Sequence, residues 1–322
     1  MSESNMDSPP PSVGWIGTGR MGAAMAARLA KAGVPLTVWN RTQAKTRPLA
    51  ELGCAVAAGI PELRRLDVVF TMVATPDDLE QVLLGPSGLL SDTDHTPGIV
   101  VDSSTVSVES SAAIRQECER RGVAFLAAPV SGNPRVVEAG DLSMVVSGPA
   151  DTYSRVEPLL THIARSSTYV GDGDVARLVK ICHNLMLGVV TQAMAEITVL
   201  AERGGVSRAA FLDFLNNSVM GSVFTRYKTP AFVNLDYTPT FTPVLLRKDF
   251  DLGLAAGRTH DVPMPVTAVT AELVQSSVSS GRVDEDFAIL LDLQAASSGL
   301  HLEPEGVVVD DGLSAADEVV PS

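Results

Sequence analysis

Residues 174–203, DVARLVKICHNLMLGVVTQAMAEITVLAER, run for thirty positions with no proline and one glycine, Gly188. As a single helix this stretch would span roughly 45 Å. It is too long and too apolar for one small domain to cover alone. A helical second half of the chain is therefore expected, with a homodimer built on that half to cover the remaining apolar surface. Thr191, Gln192 and Glu196 interrupt the apolar run, so no membrane span is expected. Upstream the pattern is different. The β-rich runs SVGWIG, PLTVWN, DVVFTMV, GIVVDSS, VAFLAAPV, LSMVVSG and STYVG alternate with helical periodicities such as MGAAMAARLAKAG and VESSAAIRQECERRG. Repeated β–α units predict an α/β domain, a doubly wound Rossmann-type sheet that is mostly parallel with helices on both faces. The boundary falls near residue 171. The reading is thus a dinucleotide-binding domain over 12–171 and an all-helical substrate and dimerisation domain over 172–302, with the long helix as interdomain element. Within the second half, YKTPAFVNLDYTPTFTP is rich in Pro and Thr and reads as a loop.

Composition narrows the class of partner. The 322 residues carry 38 acids against 24 Lys and Arg, a formal charge of −14. A nucleic-acid partner needs a basic surface, so none is expected. Part of the acidity lies in HLEPEGVVVDDGLSAADEVVPS, and residues 303–322 read as an acidic disordered tail. Residues 1–11 read as a second disordered tail and not as a signal peptide, for they have no basic region and no apolar run. Cys54, Cys118 and Cys182 are far apart and match no metal spacing, so they read as reduced thiols of a cytoplasmic protein and no metal is expected.

SVGWIGTGRMG places Gly17, Gly19 and Gly22 as G-x-G-x-x-G between a strand and a helix. Gly17 allows the tight turn, Gly19 lets the backbone approach a pyrophosphate, and Gly22 lets helix and strand pack closely. The phosphates would sit on the free N–H groups of the first helical turn, at Arg20 and Met21. The second strand ends in VWNRTQAK. An NAD site usually carries Asp or Glu there to accept from the ribose 2′-OH. This chain has Asn40, Arg41 and Thr42, with Lys45 a turn later. Arg41 can pair with a 2′-phosphate and stack on adenine, which points to NADP(H). The plain alternative for Arg41 is a solvated loop residue.

With these residues collected, the chain resembles the β-hydroxyacid dehydrogenase family, the group of 3-hydroxyisobutyrate dehydrogenase and tartronate semialdehyde reductase, from about Val13 to Leu300. The family opening G-x-G-x-x-G-x-x-M matches Gly17 to Met25. TMVATPDDLEQVLLG is similar to the loop after the family's fourth strand, implying cofactor contacts for Val73 and Ala74. VVDSSTVS resembles the D-x-S-T segment, implying Thr105 near the nicotinamide ribose. LAAPVSGNPRVVEAGDLSMVVSG resembles the substrate loop, implying Ser131, Gly132 and Asn133 as substrate residues. GDVARLVKICHN resembles G-x-x-x-x-x-K-x-x-x-N, which implies the catalytic lysine at Lys180 and its asparagine at Asn184. LLRKDFDLGLA resembles L-x-K-D-L-x-L-A, implying a cofactor contact for Lys248, with an ordinary helix charge as the alternative. Departures fall in the substrate loop: Ala127 replaces an acid, Asn133 replaces a glycine, and a further glycine becomes Arg135 or Val136. They leave the fold untouched and put the substrate in question. His183 before Asn184 is similar to the K-x-x-H-N run of 6-phosphogluconate dehydrogenases. It joins the substrate residues, with a structural histidine as the alternative, and that family's substrate is not transferred.

The chemistry explains why Lys, His and Asn share one face of an apolar helix. Hydride moves between a nicotinamide and a carbon bearing oxygen, and that oxygen must lose or gain a proton. Burial can lower a lysine pKa toward neutrality, so Lys180 can serve as acid and base in a cleft between domains. Asn184 can hold the ammonium or the substrate through a neutral hydrogen bond. Ser131 with the Gly132 and Asn133 amides can bind a carboxylate, and the Asn133 side chain either adds a donor for the substrate or caps the turn at Pro134. Arg177 reads as solvated. The expected enzyme is an NADP-dependent oxidoreductase of a small 3-hydroxy acid or its semialdehyde. The alternatives are an NADPH-dependent imine reductase on the same scaffold, whose relatives commonly replace the lysine with Asp or Tyr, and a non-catalytic dinucleotide-binding protein.

Overall fold

A computed structural model describes residues 10–92 and 94–313; of the tails read at 1–11 and 303–322, residues 1–9 and 314–322 lie outside the described residues. The chain divides into two compact units that part between Lys180 and Ile181. In the first unit, β1 (Val13–Ile16), β2 (Leu36–Trp39), β3 (Ala55–Val56), β4 (Val68–Thr71), β5 (Ile99–Asp102) and β6 (Ala124–Ala127) form one sheet in the order β3-β2-β1-β4-β5-β6. Every pair in it is parallel. The helices of this unit are α1 (Arg20–Lys31), α2 (Arg47–Glu51), α3 (Pro76–Leu84), α4 (Val108–Arg120), α5 (Pro134–Glu138) and α6 (Ala150–Ile163). The expected Rossmann-type sheet is present. Its central strands are buried at every residue because both faces are covered, and they are apolar up to Thr71 and Asp102 at the ends of β4 and β5.

Alternation along those strands sends neighbouring side chains to opposite faces. Trp15, Phe70 and Val101 join Met25 and Leu29 of α1 on one side, while Ile16, Val69 and Val100 join Leu79 and Leu83 of α3 and Ile114 of α4 on the other. Helix α1 buries Gly22, Met25, Ala26 and Leu29, the i, i+3, i+4, i+7 stripe that makes it a sheet-facing helix. LSMVVSG and STYVG are strands, β8 (Ser143–Val146) and β9 (Ser166–Tyr169), but they leave the main sheet. With β7 (Val130–Ser131) they form a separate three-stranded sheet in which β7 and β8 are antiparallel. Composition marks a strand; it does not choose the neighbour that completes its hydrogen bonds.

The breaker-free stretch is one helix, α7 (Val175–Arg203), long and apolar enough to cross a membrane, with 50% of its most apolar window buried inside the protein. Ala176 and Arg177 in its first turn are buried, and Ala176 packs into the cluster of α3 and α4. That is why the first unit extends past residue 171 to Lys180. From Ile181 on, α7 belongs with α8 (Arg208–Asn217), α9 (Val223–Asn234), α10 (Pro243–Thr259), α11 (Pro265–Ser279) and α12 (Leu290–Ser297). Gly188 is a contact and not a hinge: a Cβ there would lie 2.4 Å from Phe250 of α10. Gly253 of α10 answers it, for its Cβ would meet Leu185 of α7 at 2.4 Å.

Two expectations for the second unit are corrected. The Pro- and Thr-rich segment is not all loop, because α9 occupies its first half. Ser222 and Thr225 form a capping box that starts the helix, and burial of Ala231, Phe232 and Val233 outweighs the hydrogen bond lost at Pro230. Residues 303–313 are not a free acidic tail. The Glu305 carboxylate accepts from the backbone N–H of Arg208 at 2.6 Å and of Ala209 at 3.0 Å, beside the Ser207 cap at the N-terminus of α8. The Arg208 guanidinium, 1% exposed, donates to the carbonyls of Phe232 and Glu303 and to both oxygens of Glu202. Acidic composition suggested a solvated tail; here acid is what a helix terminus and a buried guanidinium require.

Lys228 of α9 is held inside this unit by Asp286, at 2.5 Å, and lies 4.3 Å above the Phe287 ring. Burial pushes the Asp286 carboxyl up, but the Lys228 ammonium and the donors of Thr240 and Ala288 outweigh it and leave the group below its usual range. A carboxyl lowered on folding contributes stability that is complete above its unfolded pKa of about 3.9 and is lost as pH falls through the folded value. Asp286→Asn should therefore destabilise the protein at neutral pH, by about 3–5 kcal/mol if the ammonium is left buried without its partner. Urea unfolding from pH 7 downward should show the gap to the parent protein closing below about pH 4; a gap that stays constant would reject this account.

Candidate functional site

At the carboxyl ends of β1, β2 and β4 a cleft of about 620 Å³ opens in the first unit. This is the edge where parallel sheets bind ligands, and the volume suits a cofactor. Gly17, Gly19, Asn40, Arg41, Thr42, Lys45, Val73 and Ala74 all line it. The three glycines differ in what demands them. Gly17 has φ 97°, and a Cβ there would lie 2.2 Å from the Met72 carbonyl oxygen. At Gly22 a Cβ would lie 2.0 Å from the Gly17 carbonyl oxygen, so helix and turn touch backbone to backbone. A Cβ on Gly19 would meet no protein atom within 4 Å. It would project into open space, and Gly19 caps α1 without a side-chain hydrogen bond, leaving the helix amides open. These features fit a dinucleotide phosphate. Arg20 is exposed at the first position of α1, whereas the Met21 side chain packs against the core, so Met21 can offer only backbone.

Asn40 has a structural task. Its Oδ1 accepts from the Thr18 N–H at 2.9 Å and its Nδ2 donates to the Thr42 carbonyl at 3.0 Å, clamping the glycine turn to the end of β2. Arg41 is 79% exposed and pairs with Asp78 at 2.8 Å. Asp78 also lines the cleft and was not foreseen as a site residue.

The solvated reading of Arg177 is wrong. It is 1% exposed, and Nη2 donates to Asp102 Oδ2 at 2.5 Å, Nη1 to the Ser104 carbonyl at 2.6 Å, and Nε to Ser111 Oγ at 3.1 Å. The other Asp102 oxygen accepts from Thr71 Oγ1 at 2.6 Å and Ser104 Oγ at 2.7 Å, and Ser104 Oγ accepts from the Val73 N–H at 3.0 Å. One network thus ties the end of β4, the end of β5 and the first turn of α7. Thr105 follows Ser104 directly, and the partly buried Lys180 lies three residues beyond Arg177 on α7. A single sequence could not reveal this, since an Arg in an amphipathic helix is usually solvated.

In the substrate loop the structure shows the second of the two alternatives for the Asn133 side chain, the cap. Ser131 ends β7, and Gly132 holds φ 141° where a Cβ would lie 2.8 Å from Val136. Asn133, 8% exposed, turns its Oδ1 to the Val136 N–H at 3.1 Å and caps α5. Its side-chain oxygen is thereby committed to the helix. In the second unit Asn184 is buried, its Nδ2 donating to Asp249 Oδ2 at 2.6 Å while its Oδ1 lies 3.0 Å from Nδ1 of the exposed His183. Asp249 was missed, although it stands next to Lys248 in the quoted K-D pair; Lys248 itself is 46% exposed and lies 3.8 Å from Asp249. Among the described residues no group of acids, His or Cys could hold a metal ion.

Comparison with known proteins assigns both halves. The family profile described as the NAD binding domain of 6-phosphogluconate dehydrogenase matches residues 12–171. The profile described as the NAD-binding domain of NADP-dependent 3-hydroxyisobutyrate dehydrogenase matches residues 172–294. Glyoxylate/succinic semialdehyde reductase 2, chloroplastic, from Arabidopsis thaliana is 31% identical over 89% of this chain and 80% of its own length. A solved 3-hydroxyisobutyrate dehydrogenase from Salmonella typhimurium superposes with TM-score 0.77 at 25% identity, over 87% of this chain and 99% of that one. A solved protein, Psf3 in complex with NADP+ and 2-OPP, gives the same TM-score of 0.77 at 25% identity, over 87% and 99% of the two chains.

The Arg177–Asp102 pair yields a direct test. Arg177→Met strands a buried carboxylate and should cost about 3–5 kcal/mol in urea unfolding, whereas the double variant Arg177→Met/Asp102→Leu should recover a large part of that loss. Additive losses in the double variant would mean that the two groups do not depend on each other.

Proposed function

Because this chain belongs to the β-hydroxyacid dehydrogenase family, we propose that it is an NADP-dependent oxidoreductase of a small 3-hydroxy acid or its semialdehyde. The observation that carries the cofactor choice is the lining of the glycine cleft, where Arg41 and Lys45 accompany Gly17 and Gly19 and the residue after β2 is an asparagine already spent on backbone. Bound in such a cleft, a nicotinamide dinucleotide gives hydride to, or takes it from, a carbon bearing oxygen. The chain supplies the rest. The open amides at the start of α1 hold the phosphates, and Arg41 and Lys45 offer charge to a 2′-phosphate. Ser131 and the Gly132 and Asn133 amides bind the substrate carboxylate. Lys180 gives a proton to the substrate oxygen in reduction and takes one in oxidation. Asn184, fixed by Asp249, orients that exchange through its amide.

We also propose that two copies pair through the helical half. Met186 and Leu200 on α7 are 63% and 71% exposed, and Val266 and Val269 on α11 are 62% and 64% exposed, apolar surface of the kind that an interface covers. Multi-angle light scattering should give twice the chain mass; a monomer at working concentration would remove this proposal.

One kinetic set tests the chemistry. With a panel of 3-hydroxy acids, semialdehydes and cyclic imines, the protein should turn over acids or semialdehydes, with kcat/KM for NADPH roughly tenfold or more above NADH. Lys180→Ala should lower kcat by roughly 10²–10⁴-fold with cofactor binding intact. Near-normal turnover in the folded variant rejects the proton-transfer role, and turnover confined to imines rejects the substrate class.

A further inference from the structure

The cleft holds an acid that the end of β2 does not. Among the described residues that line it, Asp78 is the one carboxylate, and Arg41 and Lys45 are the cations. Asp78 comes from the first turn of α3 and is fixed there: its N–H donates to Thr75 Oγ1 at 3.0 Å, and its Oδ2 accepts from that hydroxyl at 3.0 Å. Its Oδ1 holds Arg41 at 2.8 Å. The more exposed partner of this pair is Arg41, at 79% against 24% for Asp78. Asn40, which occupies the usual place of the ribose-binding acid, is spent on Thr18 and Thr42.

We infer that Asp78 is a specificity-determining residue of the cofactor site, accepting from a ribose 2′-hydroxyl when NAD(H) binds and competing with the 2′-phosphate for Arg41 when NADP(H) binds. The inference rests on the dinucleotide reading of the cleft. A 2′-phosphate carries close to two negative charges. To reach the Arg41 guanidinium it must displace a carboxylate already bound there, or lie beside it as a like charge. A neutral 2′-hydroxyl meets neither penalty and finds a fixed carboxylate acceptor, the role normally filled from β2. Asp78 therefore lowers the preference for NADP(H) that Arg41 and Lys45 create. The two functions sit on different elements, so each can be changed alone.

Calorimetric dissociation constants for NADP+ and NAD+ decide the matter without turnover. Asp78→Asn retains an acceptor for the Thr75 hydroxyl and removes the charge. It should tighten NADP+ about fivefold and weaken NAD+ about twofold, moving their ratio by roughly tenfold, a span expected for a partly exposed charge pair. Asp78→Ser repeats the measurement should the first variant fold poorly. Asp77→Asn removes the same charge from an exposed neighbour outside the cleft lining and should leave the ratio within twofold. A ratio in both Asp78 variants within twofold of the parent protein overturns the inference, as does an equal shift in Asp77→Asn. The parent ratio tests the NADP reading separately: a parent protein that prefers NAD+, yet shifts toward NADP+ on Asp78→Asn, sinks that reading and supports this one.

Discussion

A guanidinium with 1% exposure must find hydrogen-bond acceptors inside the protein, and Arg177 finds them at the point where the sheet hands over to the long helix. Desolvating such a group costs several kcal/mol, which only close, well-directed acceptors offset. Asp102 supplies the charge and the Ser104 carbonyl supplies direction, so the loop between them cannot move without stranding Arg177. Through Ser104 the same contacts reach the Val73 amide on the cleft wall. The start of α7 is therefore part of the sheet unit by electrostatics as well as by packing. Lys180 stands on a turn whose position the buried pair fixes. An apolar pair of equal volume could hold the elements together, but would not specify the loop conformation through directed hydrogen bonds.

The cleft shows how one motif can rest on separate physical demands. Gly17 and Gly22 are required by the chain's own backbone, at 2.2 Å and 2.0 Å from carbonyl oxygens. Gly19 meets no such demand within the protein and lines the cleft instead. Asn40 closes the turn without adding charge, and this leaves the charge of the cleft beyond the end of β2 to Arg41, Lys45 and Asp78.

The helical unit relies on charge in places where composition suggested solvent. Arg208 and Lys228 are both buried, each held by a carboxylate, and each joins segments distant in sequence. Burial lowers the Lys228 pKa and the Asp286 carboxylate opposes that shift, so the pair stays together only while both groups remain charged. Residues 303–313 follow the same logic, because Glu305 accepts from two amides of the α8 N-terminus that the Ser207 cap, bonded to Ala210, leaves open.

What the sequence determined by itself was periodicity and local backbone demand. Period-two and period-3.6 patterns gave the β–α alternation and the unbroken α7, and the spacing of Gly17, Gly19 and Gly22 marked a turn that backbone sterics alone would enforce. These signals are local, so they survive without knowledge of neighbours. Tertiary structure alone decided which distant groups meet. It placed β8 and β9 in a second sheet, buried Arg177 against Asp102, turned Asn133 into a helix cap, paired Asn184 with Asp249 and brought Asp78 to Arg41. A charged or amide side chain reads the same in sequence whether water or a partner satisfies it. The difference is set by desolvation and hydrogen-bond geometry, and both exist only once the chain has folded.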